Sequence, residues 1–582
     1  MRLTYLFPIL ILLLIGLFFF GCPSPKTAML EERCSHAFRR RDAAALGIIT
    51  LIYAVIAFLG LGDTEAPQSF HNFSSGESVI VDLGEEYNID SIMIYSGLNT
   101  GSYRIELSSD GEIWSDAGSF EQSYTALFKW NDVELNASFP ITARYIRLTA
   151  HGDVRLGELV VLCGGNLTGE CSDAPELFDE QGTVPEYQHY TNSTYFDEIY
   201  HARTAYENIE GVYPYEISHP PLGKLIIAIG IELFGMTPFG WRFSGTLFGV
   251  LMLPVLYMLL KRMFGSTRIC ACATAVFAFD FMHYTQTRIA TIDTYAVFFI
   301  LLMYLFMYIY ITGGKLSSLA LSGLFFGIGA ACKWTCLYAG AGLAVIWLVH
   351  WVRNFNIKAF IKNCAFCLVF FVLIPAVIYY ASYYPYGKAS GMSGLGMYFT
   401  SDYANIVLDN QKFMFSYHSG VHSEHPYSSR WWQWIIDERP ILYYLKYFDD
   451  STRSSFGAFL NPVVCWAGFI SMIMCAVYAL KRHDRISAFI VIGYLAQLLP
   501  WIFITRTTFE YHYFPSSVFL VLAIARLFSL MRINLSGWKF NVYALTGLSC
   551  ALFVVFYPVL SGLRVNADLA TNLLKWLPNW PF

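Results

Sequence analysis

The charged and hydrogen-bonding residues of this strongly apolar chain gather in a few short stretches, and their types suggest proton transfer and phosphate binding. The first stretch is Tyr195-Phe196-Asp197-Glu198-Ile199-Tyr200-His201-Ala202-Arg203. Asp197 and Glu198 open a helical pattern, and Asp197 and His201 are four residues apart, on one helix face. A carboxylate there can accept a proton. It can equally serve the helix, because Thr194 with Asp197 three residues on has the form of a capping box and acids suit a helix N-terminus. The second stretch is Glu216-Ile217-Ser218-His219-Pro220-Pro221-Leu222-Gly223-Lys224. Its prolines set an extended entry into a helix. His219 and Lys224 then face one headgroup region as substrate contacts, unless Lys224 merely snorkels to lipid phosphates.

The third stretch runs from His283 to Asp293 and contains Gln286 and Arg288. A guanidinium stays charged and matches a phosphate with two parallel hydrogen bonds, so Arg288 is the leading phosphate ligand. An Arg288–Asp293 ion pair serving the fold is the alternative, and the two roles are compatible. Lys333-Trp334 adds a further cation. The last group spans His418 to Arg439, with His422, His425, Arg430, Trp431 and Trp432, and is joined by Arg506, Glu510 and His512. Tryptophans at this level are interfacial belt residues or sugar-ring platforms. None of the histidines shows a closed metal-ligand spacing beside an acid. No metal ligand set and no firm cofactor therefore follow, although the histidines leave a divalent cation open.

These stretches need elements to hold them. The chain is 55% hydrophobic and 14% charged, with a mean hydropathy of +0.45. Soluble domains carry about 25% charged residues, so the composition points to a bilayer. A net charge of −5 argues against a nucleic-acid partner. Apolar runs suited to spanning fall near 4–21, 43–62, 240–261, 266–283, 292–312, 317–332, 335–351, 359–383, 459–480, 486–505, 513–531 and 541–562. The stretch 222–236 is short, follows two prolines and is expected to lie in the interface. Basic clusters at 39–41, 261–262, 315, 353–362, 481–485 and 532–539 alternate along the loops, which assigns them to the cytoplasm. The polar segments 63–239 and 384–458 then face outward, and the first run is expected to be a retained helix.

Residues 66–165 change character. Alternating runs such as Ser78–Leu83, Ser91–Tyr95 and Tyr103–Leu107 are divided by Gly, Asn and Asp turns, the pattern of an antiparallel sandwich. Of the 13 cysteines most sit in apolar runs as small hydrophobes, whereas Cys163 and Cys171 lie in a polar stretch and can pair in an oxidising compartment. The expected organisation is an N-terminal span and basic loop (1–42), a first core helix (43–62), the sandwich (66–165), an outer catalytic loop (175–239), a transmembrane core (240–383), an outer loop (384–458), C-terminal helices (459–562) and an outer tail (563–582).

The sandwich resembles the discoidin, or coagulation-factor F5/8 type C, galactose-binding-like domain through Val81-Asp82-Leu83-Gly84, Ser109-Asp110-Gly111-Glu112-Ile113-Trp114 and Ala143-Arg144-Tyr145-Ile146-Arg147-Leu148. That resemblance implies a carbohydrate ligand, or else a spacer whose loops bind nothing. The remainder resembles the protein O-mannosyltransferases, family 39 of the membrane-embedded C superfamily of glycosyltransferases. The matching residues keep one order: Phe196-Asp197-Glu198, His219-Pro220-Pro221-Leu222-Gly223-Lys224-Leu225, Gln286-Thr287-Arg288, Lys333-Trp334, His425-Pro426-Tyr427-Ser428-Ser429-Arg430-Trp431-Trp432 and Arg506 to Tyr513. Two features depart from the pattern of eukaryotic members: the inserted sandwich, and the lack of a beta-trefoil in the 384–458 loop.

The resemblance implies a polytopic helical membrane protein of about 11 core spans, plus the N-terminal one and the inserted β-sandwich. It implies inverting transfer of mannose from a polyprenyl-phosphate donor to Ser or Thr hydroxyls of a protein, on the extracytoplasmic side of the cell membrane. Asp197 takes the role of base and Glu198 positions the acceptor or the helix. Arg288, Lys333 and Arg506 hold the donor phosphate, and His201, His219, Lys224, Gln286, Asp293, His425, Arg430, Trp431, Trp432 and His512 contact substrate. A related transferase acting on a glycolipid or wall glycan shares these features. A transporter or carbohydrate sensor fits less well, because the polar clusters crowd one face and no internal repeat is visible.

Overall fold

The computed structural model describes residue 4 and residues 6–19, 36–136, 141–163, 166–353, 355–420 and 424–582. Its contacts divide into two compact units: Gly60–Glu210 with Ile227–Phe243, and Met1–Leu59 with Gly211–Ile226 and Ser244–Phe582.

The first of these contains the sandwich. One sheet orders β1 (His71–Phe73), β8 (Val154–Cys163), β3 (Ser91–Ser96) and β6 (Trp130–Asp132), with β9 (Asn166–Thr168) added to β8. The other orders β2 (Ser78–Ile89), β7 (Ile141–His151), β4 (Gly101–Ser108) and β5 (Ser115–Gln122). Val79 and Val81 alternate with exposed or half-exposed neighbours and join Ile105, Ile146, Leu148, Ile92, Leu159 and Val161 in one buried core. The motif residues do identifiable work here. Arg144 donates two bonds to Asp82, at 2.9 and 3.0 Å, tying β7 to β2. Arg147 bonds Glu106 at 2.7 Å and lies 4.3 Å over the Trp114 ring. Asp110 closes the β4–β5 hairpin by accepting from the Glu112 and Ile113 amides. Cys163 and Cys171 are both buried free thiols.

Among the described residues, nine helices of the chain are long and apolar enough to cross a membrane. Several expected boundaries shift for physical reasons. α1 occupies Leu6–Phe19 of the expected 4–21 run. α2 (Arg40–Phe58) starts in the basic cluster, because Asp42 is fully buried and accepts from Tyr257 at 2.8 Å, Thr267 at 2.7 Å and Lys261 at 3.0 Å. α3 (Glu198–Glu210) and α4 (Leu222–Phe234) precede α5 (Pro238–Phe264). The run expected as one span at 266–283 is broken into α6 (Thr267–Ala278) and α7 (Phe281–Thr287). Asp280 caps α7 by accepting from the His283 amide, and it also accepts from Asn461 N at 2.9 Å. A carboxylate committed to an N-cap cannot lie mid-helix.

α8 (Asp293–Gly313), α9 (Leu316–Cys332) and α10 (Thr335–Arg353) follow and pack against one another. The segment Ile357–Ala389 widens at Val369–Leu373, just before Pro375, whose missing amide breaks the regular ladder. Of the window that defines the Glu510–Ile533 span 94% is buried, against 6% for Ile357–Ala389. The former is therefore the central column of its unit and the latter its periphery. A strand pair, Ile441–Tyr447 with Thr452–Ala458, lies in the outer-loop sequence.

Glu158 on β8 is fully buried beside Asp179 and Glu180, whose carboxylates come within 4.8 Å of it. Burial pushes its carboxyl up to about 7, and the two like charges add to that. A carboxyl raised in the folded state binds a proton that the unfolded chain releases, so stability falls as pH rises from about 4.5 to 7 and is level above. Glu158→Gln should flatten this dependence, measured as protection factors of β8 amides in the intact chain, corrected for intrinsic exchange, between pH 4.5 and 8. An unchanged slope would refute the assignment.

Candidate functional site

In the unit holding the sandwich, α3 begins in an unusual turn. Phe196 has φ +47°, and the Tyr195 amide donates to the Glu198 carboxylate at 3.3 Å. Thr194 does not cap the helix with Asp197, because its hydroxyl donates to the Leu127 carbonyl at 3.1 Å. Asp197 accepts the first helical bonds through its carbonyl, from Tyr200 N and His201 N, both at 3.1 Å. Successive helical residues project about 100° apart, so Asp197 and Glu198 cannot share a direction. Glu198 is fully buried, as is Arg242, which donates to both its oxygens at 2.8 Å. The same guanidinium bonds the carbonyls of Leu61 and Ser193, each at 2.9 Å, and sits 4.8 Å over the Tyr195 ring. Arg242 thus ties three chain segments to the start of α3. Asp197 is half-buried and His201 is buried one turn on.

Sequence reasoning passed over Arg242, since an arginine at the head of a span usually anchors to the interface. A signal was present: a buried cation in an apolar segment requires a carboxylate, and Glu198 is an acid at an otherwise apolar helix face.

The helical unit gathers most of the other candidates. Lys224 is fully buried and its ammonium is held by the Glu216 carboxylate and carbonyl, each at 2.6 Å, and by the His219 carbonyl at 3.0 Å. It therefore does not snorkel to lipid; it clamps the two-proline turn. His219 accepts or donates at Glu216 over 3.0 Å and meets His418 edge to face at 5.1 Å. Burial lowers the His219 pKa, with the Lys333 and Lys224 charges acting the same way against Glu216. His418 contacts the Ser218 carbonyl at 2.8 Å, and its pKa falls to about 4 through burial, helped by His219, Arg506 and Lys333. Both imidazoles are neutral at pH 7, so the positive charge here belongs to Lys333 and Arg506.

Those two cations differ. Lys333 bonds Asp293 at 2.7 Å and lies 5.7 Å over the Tyr511 ring. The carboxylate expected to pair with Arg288 is thus taken by Lys333, which the chain brings alongside at the end of α9. Arg506 is half-buried, donates to the Thr507 carbonyl at 3.3 Å, and has no carboxylate partner among the described residues. Arg288 donates to the Tyr284 hydroxyl and to the Leu59 carbonyl at 2.9 Å, with its plane 4.7 Å over the Tyr284 ring. Gln286 is buried and spent on the fold: its amide nitrogen bonds Thr291 at 3.2 Å and its oxygen accepts from Tyr443.

His512 is buried against the rings of Trp501 at 4.5 Å, Tyr511 at 4.4 Å and Trp434 at 6.1 Å. The tryptophan locked into this stack is Trp434, with its indole nitrogen 2.9 Å from Ser429; Trp432 is exposed and Trp431 half-exposed. Arg430 is exposed, and His425 packs on Phe509 at 4.9 Å. His422 lies outside the described residues. Two buried acids were not singled out by the sequence reading: Asp437 and Glu510 are both fully buried, Asp437 accepts from the Leu460 amide at 3.1 Å, and burial pushes the Asp437 carboxyl up to about 6.

The Glu198–Arg242 pair generates a sharp expectation. Glu198→Leu alone strands a buried guanidinium and should cost about 3–5 kcal/mol, seen as a lower thermal unfolding temperature of the purified protein. Glu198→Leu with Arg242→Met should recover most of that loss. Additive losses in the double variant would show that the two residues act independently.

Residues 218–379 match the family model described as dolichyl-phosphate-mannose-protein mannosyltransferase, and residues 403–580 match that of the C-terminal four-helix membrane region of protein O-mannosyltransferase. Residues 57–157 match the F5/8 type C domain. The polyprenol-phosphate-mannose–protein mannosyltransferase of Mycobacterium tuberculosis is 25% identical over 456 residues, covering 66% of this chain and 86% of that protein. The protein of the same name from Mycolicibacterium smegmatis is 25% identical over 426 residues, covering 62% and 82%. In fold, the chain is similar to the S. cerevisiae protein O-mannosyltransferase complex bound to its sugar donor, with a TM-score of 0.59 at 13% identity, over 67% of this chain and 89% of that one. The architecture is thus that of a polytopic helical membrane protein carrying a β-sandwich, and the chain belongs to the protein O-mannosyltransferase family, with an F5/8 type C domain inserted in it.

Proposed function

We propose that this protein transfers mannose, with inversion, from a polyprenyl-phosphate-mannose donor to Ser or Thr hydroxyls of proteins, on the extracytoplasmic side of the membrane. The observation that carries the reading is the pair of cations of the helical unit: Lys333, 5.7 Å over the Tyr511 ring and next to Trp334, whose ring lies 6.0 Å from His418, and Arg506, half-buried with no carboxylate partner among the described residues. A leaving lipid phosphate gains charge as its bond to the sugar breaks, and fixed cations stabilise that charge better than water does. Arg288 adds a guanidinium already oriented by Tyr284 and the Leu59 carbonyl.

In this reading the acceptor hydroxyl attacks the anomeric carbon as the carbon–phosphate oxygen bond breaks. The electron pair leaves with the polyprenyl phosphate, and the hydroxyl proton passes to Asp197. A single base suffices because no covalent sugar–enzyme intermediate forms. Glu198, held through both oxygens by Arg242, sets the direction of Asp197. His201, His425, Arg430, Trp431 and Trp432 remain candidates for contact with the sugar or acceptor. For the F5/8 type C domain we assign a carbohydrate ligand. The alternation of basic loops supports the outward orientation.

Asp197→Asn should lower mannose transfer to a Ser/Thr peptide by about 10²–10⁴-fold while leaving binding of labelled donor unchanged. Arg506→Gln should instead weaken donor binding itself. Label recovered only in lipid or glycan, from the wild-type protein supplied with both acceptors, would sink the protein-acceptor reading. Near wild-type turnover in Asp197→Asn would remove the base assignment.

A further inference from the structure

The helices that carry Asp293 and Lys333 at one end enclose a cavity of about 1000 Å³ at their other end. α8 is 21 residues long, so the two ends are about 30 Å apart. Arg262 at the end of α5, Lys315 before α9, Arg485 at the start of the Arg485–Leu498 helix, and Arg526 and Arg532 on the Phe514–Asn534 helix line this cavity. Among the described residues, Asp484 is the one carboxylate in the lining. It is already engaged, accepting from Arg526 at 3.1 Å and from the Ser487 amide at 3.0 Å. The remaining wall is apolar, with Ile309, Ile346, Phe489 and Ile533 beneath the cations.

Arg262, Lys315 and Arg485 repel one another at this mouth, and an anion bound between them relieves that cost. Arg262, Lys315 and Arg485 are exposed, so they can reach a ligand without breaking a buried contact. The cavity is also large for a simple ion, and its apolar wall suits a chain rather than water. Basic pockets between membrane helices recognise phosphate head groups in this way.

We propose that this cavity is a binding site for the phosphate head group of an anionic membrane lipid, with an acyl chain against the apolar wall. The site is separate from the cationic cluster placed at the opposite helix ends, and it does not depend on which sugar or acceptor is used. A lipid bound there bridges α5, α8, α9, α10 and the two later helices, and so stabilises their packing.

The test is native mass spectrometry of the intact protein in detergent, supplemented with phosphatidylglycerol, phosphatidylcholine or inorganic phosphate, with thermal unfolding of the same samples. Wild-type protein should retain phosphatidylglycerol over phosphatidylcholine and unfold at a higher temperature with it. Arg262→Gln/Lys315→Gln/Arg485→Gln should lower that retention by at least about tenfold, whereas Arg262→Lys/Arg485→Lys should keep it. Lys358→Gln/Lys362→Gln removes basic residues outside the cavity lining and should leave retention as in wild type. Equal retention of phosphatidylcholine would overturn the proposal, as would an equal loss in the Lys358/Lys362 variant. Stabilisation by inorganic phosphate without retention of phosphatidylglycerol would assign the cavity to a soluble anion, and would overturn the lipid reading too.

Discussion

The constraint on which the structure turns is that a charge carried into an apolar environment must be matched where it stands. Arg242 meets Glu198, Lys333 meets Asp293, Lys261 meets Asp42, Lys224 meets Glu216 and Arg526 meets Asp484. Each pair joins segments that are separated in the chain or secures a turn at a helix end. Removing one partner leaves an isolated buried charge, so these pairs fix geometry more firmly than the surrounding hydrophobic contacts, which accept other shapes.

The same constraint sorts the candidate site residues by role. Glu198, Lys224 and Asp293 have their charge answered and serve position; Gln286, though neutral, is likewise spent on neighbours. Arg506 donates to the Thr507 carbonyl and has no carboxylate partner among the described residues, and Asp197 sits half-buried at the helix start with its neighbour Glu198 turned into the interior. Burial also decides the protonation of His219 and His418, which keeps them from diluting the distinction between fixed cations and neutral rings.

The sandwich carries some of its ion pairs on its exposed faces, Arg144 with Asp82 and Arg104 with Asp116. There the alternation of buried and exposed residues along each strand defines the fold, and the ion pairs register neighbouring strands. Its resemblance motifs are therefore structural signatures, which explains why they identify the domain without identifying a ligand.

Much of this was legible in the amino-acid order alone. Runs of about 20 apolar residues demand spans, period-two alternation demands a sheet, and the ordered polar motifs carry the family resemblance, because each depends on local sequence. Partnerships across the chain were not legible. That Asp293 belongs to Lys333 and not Arg288, that Arg242 reaches back 44 positions to Glu198, and that Asp280 ends a presumed span all depend on which segments become neighbours. The sequence by itself determined the elements and the inventory of reactive groups. Only the tertiary structure decided which of those groups are consumed in holding it together, because charge compensation acts through distance in space.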